Sequence, residues 1–384
     1  MAFGSHVALN RNRCRAVLEG SIVTGVLSSL RVVEFAGLGP APFCGMMLAD
    51  MGAEVVRIER AGSAVKVDSS DVLSRGRRVV EADLKNPVDR DRVLAMIKLA
   101  DVLIEGYRPG VMERLGLGPE YCLSINQALI YARMTGWGQT GPLAARAGHD
   151  INYIAISGAL GAIGPADGPP VVPLNLVGDF GGGGMMLGMG VLAAVIHARQ
   201  TGQGQVIDAA MTDGSAILSS MIWGFMQSGD WKNARGSNFL DGAAHFYTTY
   251  ECADGKYLAV GAIEPQFYEA LLARCGLQDD EALTANYRDP QRWPFGKDAL
   301  SALFKQKTRE QWCEWFEGLD VCVAPVLDWD EALDHPHNVA RQTFVKVDGV
   351  TQPAAAPRFS RTPSEVRPLK IDRGGIDAVI KAWS

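Results

Sequence analysis

The stretch LRVVEFAGLGPAPFCGMMLADMGAEVVRI, residues 30–58, decides the architecture. Residues 30–35 form a short apolar strand pattern, Gly39 and Pro40 interrupt it, and residues 42–51 read as a helix. Gly52 closes that helix, and residues 54–58 resume the strand pattern. A strand, a helix and a second strand within about thirty residues make a βαβ unit, which places its two strands parallel.

The alternation continues outward from this unit. A helix is expected near 87–99, a strand at 101–104, a turn at Arg108-Pro109-Gly110 and a strand at 129–134. A glycine-opened apolar helix then runs through Ala198 and closes at Gly202 and Gly204 before a strand at 205–208. This pattern predicts an α/β fold with a Rossmann-like parallel sheet. No GxGxxG fingerprint follows the first strand, where Ala36-Gly37-Leu38-Gly39-Pro40 stands, so nicotinamide and flavin binding lose their main support. Past Tyr247, a strand at 257–262 and a helix at 266–275 predict a smaller α+β domain. The expected organisation is an extension or tag without fixed structure at 1–26, a large domain at 27–210, a linker at 211–247, the small domain at 248–335 and a return linker at 336–352. Residues 353–384, marked by Pro353, Pro357, Pro363 and Pro368, read as an extended tail that completes the large domain.

Composition narrows the function classes. The chain has 384 residues, 47% of them hydrophobic, and a formal net charge of -6, so no global basic field recommends a nucleic-acid partner. Its seven cysteines lack CxxC spacing and disulfide-scaffold density, which fits reduced thiols and predicts no metal site. The uncharged stretches 151–166 and 180–196 are shorter than a membrane span, so no membrane partner is expected. Arg11, Arg13 and Arg15, with no acid before Glu19, have the composition of a weak targeting segment. Ala382-Trp383-Ser384 is not a peroxisomal address. The expected compartment is the cytoplasm, with peroxisome or mitochondrion as alternatives in a eukaryote.

Three residues stand out for chemistry. His149, in Gly148-His149-Asp150, is a residue type suited to acid/base work, although a lone histidine in such a place is more often structural. Asp179 precedes four glycines and has the position of a helix cap, yet four glycines open a helix poorly and suit close approach of another group. Glu264 stands at a strand-to-helix turn before Pro265, where it reads as a capping carboxylate. Met185, Met186, Met189 and Met211 suit either a core or a surface for a greasy chain. Arg57, Arg60, Lys85, Arg108 and Arg114 fall at strand ends or in the turns after them, where open parallel sheets bind ligands.

From about residue 27 to the C-terminus the sequence resembles the α-methylacyl-CoA racemases of the family III CoA-transferase superfamily. The residues that carry the resemblance are Val32-Val33-Glu34 through Val55-Val56-Arg57, Glu105-Gly106-Tyr107-Arg108-Pro109-Gly110-Val111, and Tyr131-Ala132-Arg133 through Gly148-His149-Asp150-Ile151-Asn152-Tyr153. Pro173-Leu174-Asn175-Leu176 through Gly178-Asp179-Phe180 and residues 261–268 extend it. The resemblance implies that His149, supported by Glu264, is one acid/base and Asp179 the other. It makes the large domain CoA-binding, with Arg60, Lys85, Arg108 and Arg114 as CoA contacts and Asp150 and Tyr153 near the thioester. It also implies an interlocked homodimer in which Glu264 reaches His149 from the other chain. Members of the family usually carry proline where His245 stands, a departure within reach of the acyl pocket.

The implied reaction interconverts (2R) and (2S) 2-methylacyl-CoA thioesters by 1,1-proton transfer through an enolate, with backbone amides near Asp150 as candidates for holding its oxygen. No cofactor is expected, because CoA arrives as part of the substrate. One alternative is a CoA-transferase that uses Asp150 as the nucleophile of an acyl-enzyme. The other is a non-catalytic acyl-CoA binding protein that uses only the arginine set.

Overall fold

The structure is a computed structural model that describes residues 25–62, 70–372 and 375–384. The extension expected at 1–26 lies outside the described residues up to position 24. The opening stretch folds as β1 (Arg31–Phe35), α1 (Pro40–Asp50) and β2 (Glu54–Arg60). The chain continues through β3 (Arg77–Ala82), α2 (Pro87–Ile97), β4 (Val102–Glu105), α3 (Val111–Arg114) and β5 (Ile130–Thr135). Further on come α4 (Asp150–Ile156), a π-helical segment Leu176–Met185, α5 (Met186–Thr201) and β6 (Gln205–Ala210).

Among the described residues the chain divides into two compact units. One holds Met1–Ala147, Asp179–Met211 and Gln342–Ser384, the other Gly148–Gly178 and Thr212–Arg341. The first contains a seven-stranded parallel sheet whose order is the edge strand Lys370–Ile371 followed by β3-β2-β1-β4-β5-β6. The strand order turns back between β1 and β4, the doubly wound arrangement that opens a crevice beyond the carboxyl ends of those two strands. All of β4 and nearly all of β1 and β5 are buried, as strands covered on both faces require.

On one face, Val33, Phe35, Val56 and Leu103 pack with Met96 and Ile97 of α2 and with Ile376, Val379 and Trp383 of the C-terminal helix Gly375–Trp383. The tail packs with the first unit, where it adds an edge strand and ends in a helix instead of staying extended. Arg75 fixes its path, donating to the carbonyl of Pro353 at 2.7 Å and pairing with buried Asp50 at 2.6 Å. On the other face α1 meets the long helix so closely that a Cβ on Gly184 would lie 2.7 Å from Phe43 Cδ1 and from the carbonyl of Pro40. This packing, and not a weak start, accounts for a glycine at 184.

The π-helical segment and α5 together span Leu176–Thr201, 26 residues that include an 18-residue stretch of mean hydropathy 1.5, long and apolar enough to cross a membrane by composition. It is longer than the uncharged run 180–196 because it takes in Asp179 and Arg199. In the first unit Leu187, Gly188 and Val191 of α5 are buried, and Gly188 adjoins Cys44 and Met47 of α1.

The second unit contains the antiparallel sheet β7 (Tyr247–Glu251), β8 (Tyr257–Gly261) and β9 (Val323–Val326), packed against aromatic residues that include Phe246, Tyr268, Trp293 and Trp312. Helices α6 (Met211–Leu218) and α7 (Ser220–Ser228) precede it. Residues 148–178, which the sequence reading placed with the large domain, pack with this unit.

Candidate functional site

The carboxyl edge of the first unit's sheet gathers the cations expected there. Arg60 ends β2, Lys85 follows β3, Arg108 follows β4 and Arg114 ends α3, and all four side chains are exposed. Arg57 differs. It pairs with Glu59 at 2.7 Å and with Glu34 at 3.5 Å, so its charge is engaged within the sheet.

At the same edge, β1 runs into Gly37-Leu38-Gly39, and Gly39 is the N-cap of α1 with φ 69°. A Cβ on Gly39 would lie 3.1 Å from Asp179 Oδ2, so only glycine lets this turn rest against the carboxylate. Asp179 is not the cap that the sequence suggested. Its helix begins three residues earlier at Leu176, and the aspartate lies inside the π-helical segment, a geometry frequent at functional sites. Its carboxylate meets the positive end of the α1 dipole. Gly39→Ala is expected to push that carboxylate aside and lower turnover about tenfold or more, since small misplacements of a reacting group are costly. Steady-state kinetics on the purified variant, with circular dichroism to verify folding, checks this.

In the second unit His149 is exposed and is the N-cap of α4. Its backbone N–H donates to Asn152 Oδ1 at 3.0 Å, while the Asn152 N–H donates to the His149 carbonyl at 2.8 Å. This reciprocal pair fixes the helix start. Asp150, the first helical residue, is only 6% exposed and Tyr153 7%. A Cβ on Gly178 would lie 2.4 Å from Asp150 Oδ2, so the Gly178 backbone covers that carboxylate. Glu264 is exposed at the N-cap of the helix Pro265–Cys275. Among the described residues, no hydrogen bond or ion pair joins it to His149 within the chain.

His245 stands away from the surface. It is buried in the small-domain core, where its Nε2 lies 2.8 Å from the Tyr268 hydroxyl and its ring packs edge-on against Phe246. Burial, with the Lys297 charge assisting, pushes its pKa down to about 4. The folded chain thus holds a neutral imidazole, while the unfolded chain binds a proton below about pH 6.5. Stability is present above that pH and is lost as pH falls from about 6.5 to about 4, by on the order of 3 kcal/mol. Urea unfolding at pH 7.5 and 4.5 measures the loss, and His245→Leu is expected to remove that share of it.

A buried network that leaves no periodic trace in the sequence lies beneath the cationic edge. Glu105, fully buried at the end of β4, accepts from Arg133 Nε at 2.9 Å and from the Tyr107 N–H at 2.7 Å. Charged residues inside apolar parallel strands were the available signal, because a buried charge needs a partner.

The sequence model described as CoA-transferase family III matches residues 27–370. Alpha-methylacyl-CoA racemase of Mus musculus is 49% identical over 341 residues, 88% of this chain and 88% of that protein. Alpha-methylacyl-CoA racemase of Homo sapiens is 46% identical over 339 residues, 88% of this chain and 87% of that protein. The crystal structure of a CAIB/BAIF family protein from Brucella suis superposes with a TM-score of 0.77 at 25% identity, covering 94% of this chain and 100% of that one.

Proposed function

The chain belongs to CoA-transferase family III, and from that premise we propose that it racemises 2-methylacyl-CoA thioesters by moving the α-proton between the two faces of the carbon. One observation carries the choice within the family. At the head of α4 the exposed group is the imidazole of His149, while the neighbouring carboxylate of Asp150 is enclosed. Proton transfer needs the imidazole, whereas acyl transfer through an anhydride needs an open carboxylate.

In one direction Asp179 as carboxylate removes the α-proton and protonated His149 delivers another. In the reverse direction neutral His149 removes it and protonated Asp179 delivers. Both steps pass through the enolate, whose charge the thioester carbonyl carries. CoA enters as part of the substrate, its phosphates held by Arg60, Lys85, Arg108 and Arg114. Asp150 and Tyr153 shape the thioester end, and the exposed Met185 and Met189 offer apolar surface to the acyl chain.

The same reading makes the protein a homodimer. Ile196 in the first unit and Leu218, Met221 and Trp223 in the second are exposed apolar side chains of the kind an interface covers. Glu264 then supports His149 across that interface.

The test supplies one epimer of a 2-methylacyl-CoA and follows the epimer ratio by chiral chromatography. Approach to an equal mixture is expected. Passage of CoA to an added free acid, with an Asp150 acyl group trapped by hydroxylamine and no epimerisation, would replace the racemase by a transferase.

A further inference from the structure

The loop that bears Arg108 and the short helix that bears Arg114 are tied down by one guanidinium. Residues 106–110 join β4 to α3, and Arg133 of β5 lies beneath them at 6% exposure. At the near end its Nε bonds Glu105, which also receives the Tyr107 N–H. At the far end its Nη1 donates to Glu113 Oε1 at 2.8 Å and its Nη2 to Glu113 Oε2 at 3.4 Å. Between these anchors Gly110 is left-handed at φ 82°, and a Cβ there would lie 3.1 Å from Arg114 Nη1, so the Arg114 guanidinium folds over the turn. The loop is held from below while its two arginines face solvent. A planar fork suits this task, since it fixes two carboxylates in direction as well as distance.

We propose that Arg133, acting through Glu105 and Glu113, is a positioning residue that sets Arg108 and Arg114 for the nucleotide phosphates of the CoA thioester. The assignment rests on the reading of those two arginines as phosphate contacts. It predicts a selective defect. Loosening the loop weakens binding of a thioester that carries the phosphates and leaves one without them untouched.

The experiment compares a 2-methylacyl-CoA with the corresponding 2-methylacyl-pantetheine thioester, reading KM and kcat for α-proton exchange. Glu113→Ala is the first variant, because the Glu113 side chain is 43% exposed and its loss leaves no buried charge. Its KM for the CoA thioester is expected to rise about tenfold, the scale of one charge-assisted contact. Both kcat values and the pantetheine KM should stay unchanged. Arg133→Met should show the same split more strongly, with Arg133→Lys between it and the wild type. If Arg133→Met fails to fold, Glu105→Gln combined with Arg133→Met removes the buried charge and is read by the same two KM values. Equal rises in both KM values, or no change in either, overturn the proposal. If the wild type exchanges neither thioester, the racemase reading fails by itself, and the inference is decided by Kd for free CoA. Weakening of about tenfold in Glu113→Ala upholds it, and an unchanged Kd overturns it.

Discussion

Asp179→Asn and His149→Ala are each expected to lower racemisation by about 10²- to 10⁴-fold, the usual contribution of one positioned acid or base. The two losses should not look alike. With Asp179 removed, His149 still abstracts the proton from the epimer presented to it, so that epimer takes up solvent deuterium without inverting. With His149 removed, Asp179 does the same for the other epimer. Mass spectrometry of each recovered epimer after incubation in deuterated water reads this mirror pattern. A variant that keeps full racemisation, or loses exchange from both epimers equally while binding normally, removes that residue from the proposed role. Asn is chosen at 179 because it keeps the volume beside Gly39 and deletes only the basic oxygen.

Arg77→Met is expected to cost about 3–5 kcal/mol of stability, through the breaking of a buried ion pair. Glu34 in β1 and Arg77 in β3 are both fully buried, with Arg77 Nε 3.0 Å from Glu34 Oε2. Arg77 also donates to the carbonyls of Leu73 and Pro42 and, at 3.1 Å, to that of Arg75. A Cβ on Gly45 would lie 2.1 Å from Glu34 Oε2, so α1 passes directly over the pair. Removing the guanidinium leaves a carboxylate under the helix whose first turn holds Gly39 against Asp179. Glu34→Gln combined with Arg77→Met should recover much of the loss, because no buried carboxylate is then left with only the 3.5 Å contact to Arg57. Urea unfolding of the two variants decides it. A cost below about 1 kcal/mol for Arg77→Met would show the pair to be solvated.

The sheet was legible in the sequence because its signals are local. Residues 30–58 carry an apolar strand, a glycine-proline break and a second strand, and the structure keeps each within a few residues. β3 was not read, because Arg77-Arg78-Val79-Val80-Glu81-Ala82 hides a buried strand behind charges whose partners are Glu34, Glu54 and Asp372. Such pairing joins positions far apart in the chain, and periodicity carries no trace of it. The same holds for Arg133, whose partners stand 28 and 20 residues away. Asp179 was read as a cap because glycines follow it, but its helix starts earlier in Leu176-Val177-Gly178 and takes a π-helical course. His245 suggested the acyl pocket only by its oddity, and its place is set by Gly296, where a Cβ would meet the imidazole at 2.5 Å.

The proposed mechanism uses two separate bases, one for each face of the α-carbon. It is tested most directly by the wild-type protein, a single protiated epimer of 2-methylacyl-CoA and deuterated water, sampled at low conversion. The inverted product is expected to carry solvent deuterium from the first turnovers, because the delivering group has equilibrated with solvent before the substrate proton leaves. Inverted product that retains the original proton would show one group carrying it from face to face, and would contradict the assignment of His149 and Asp179.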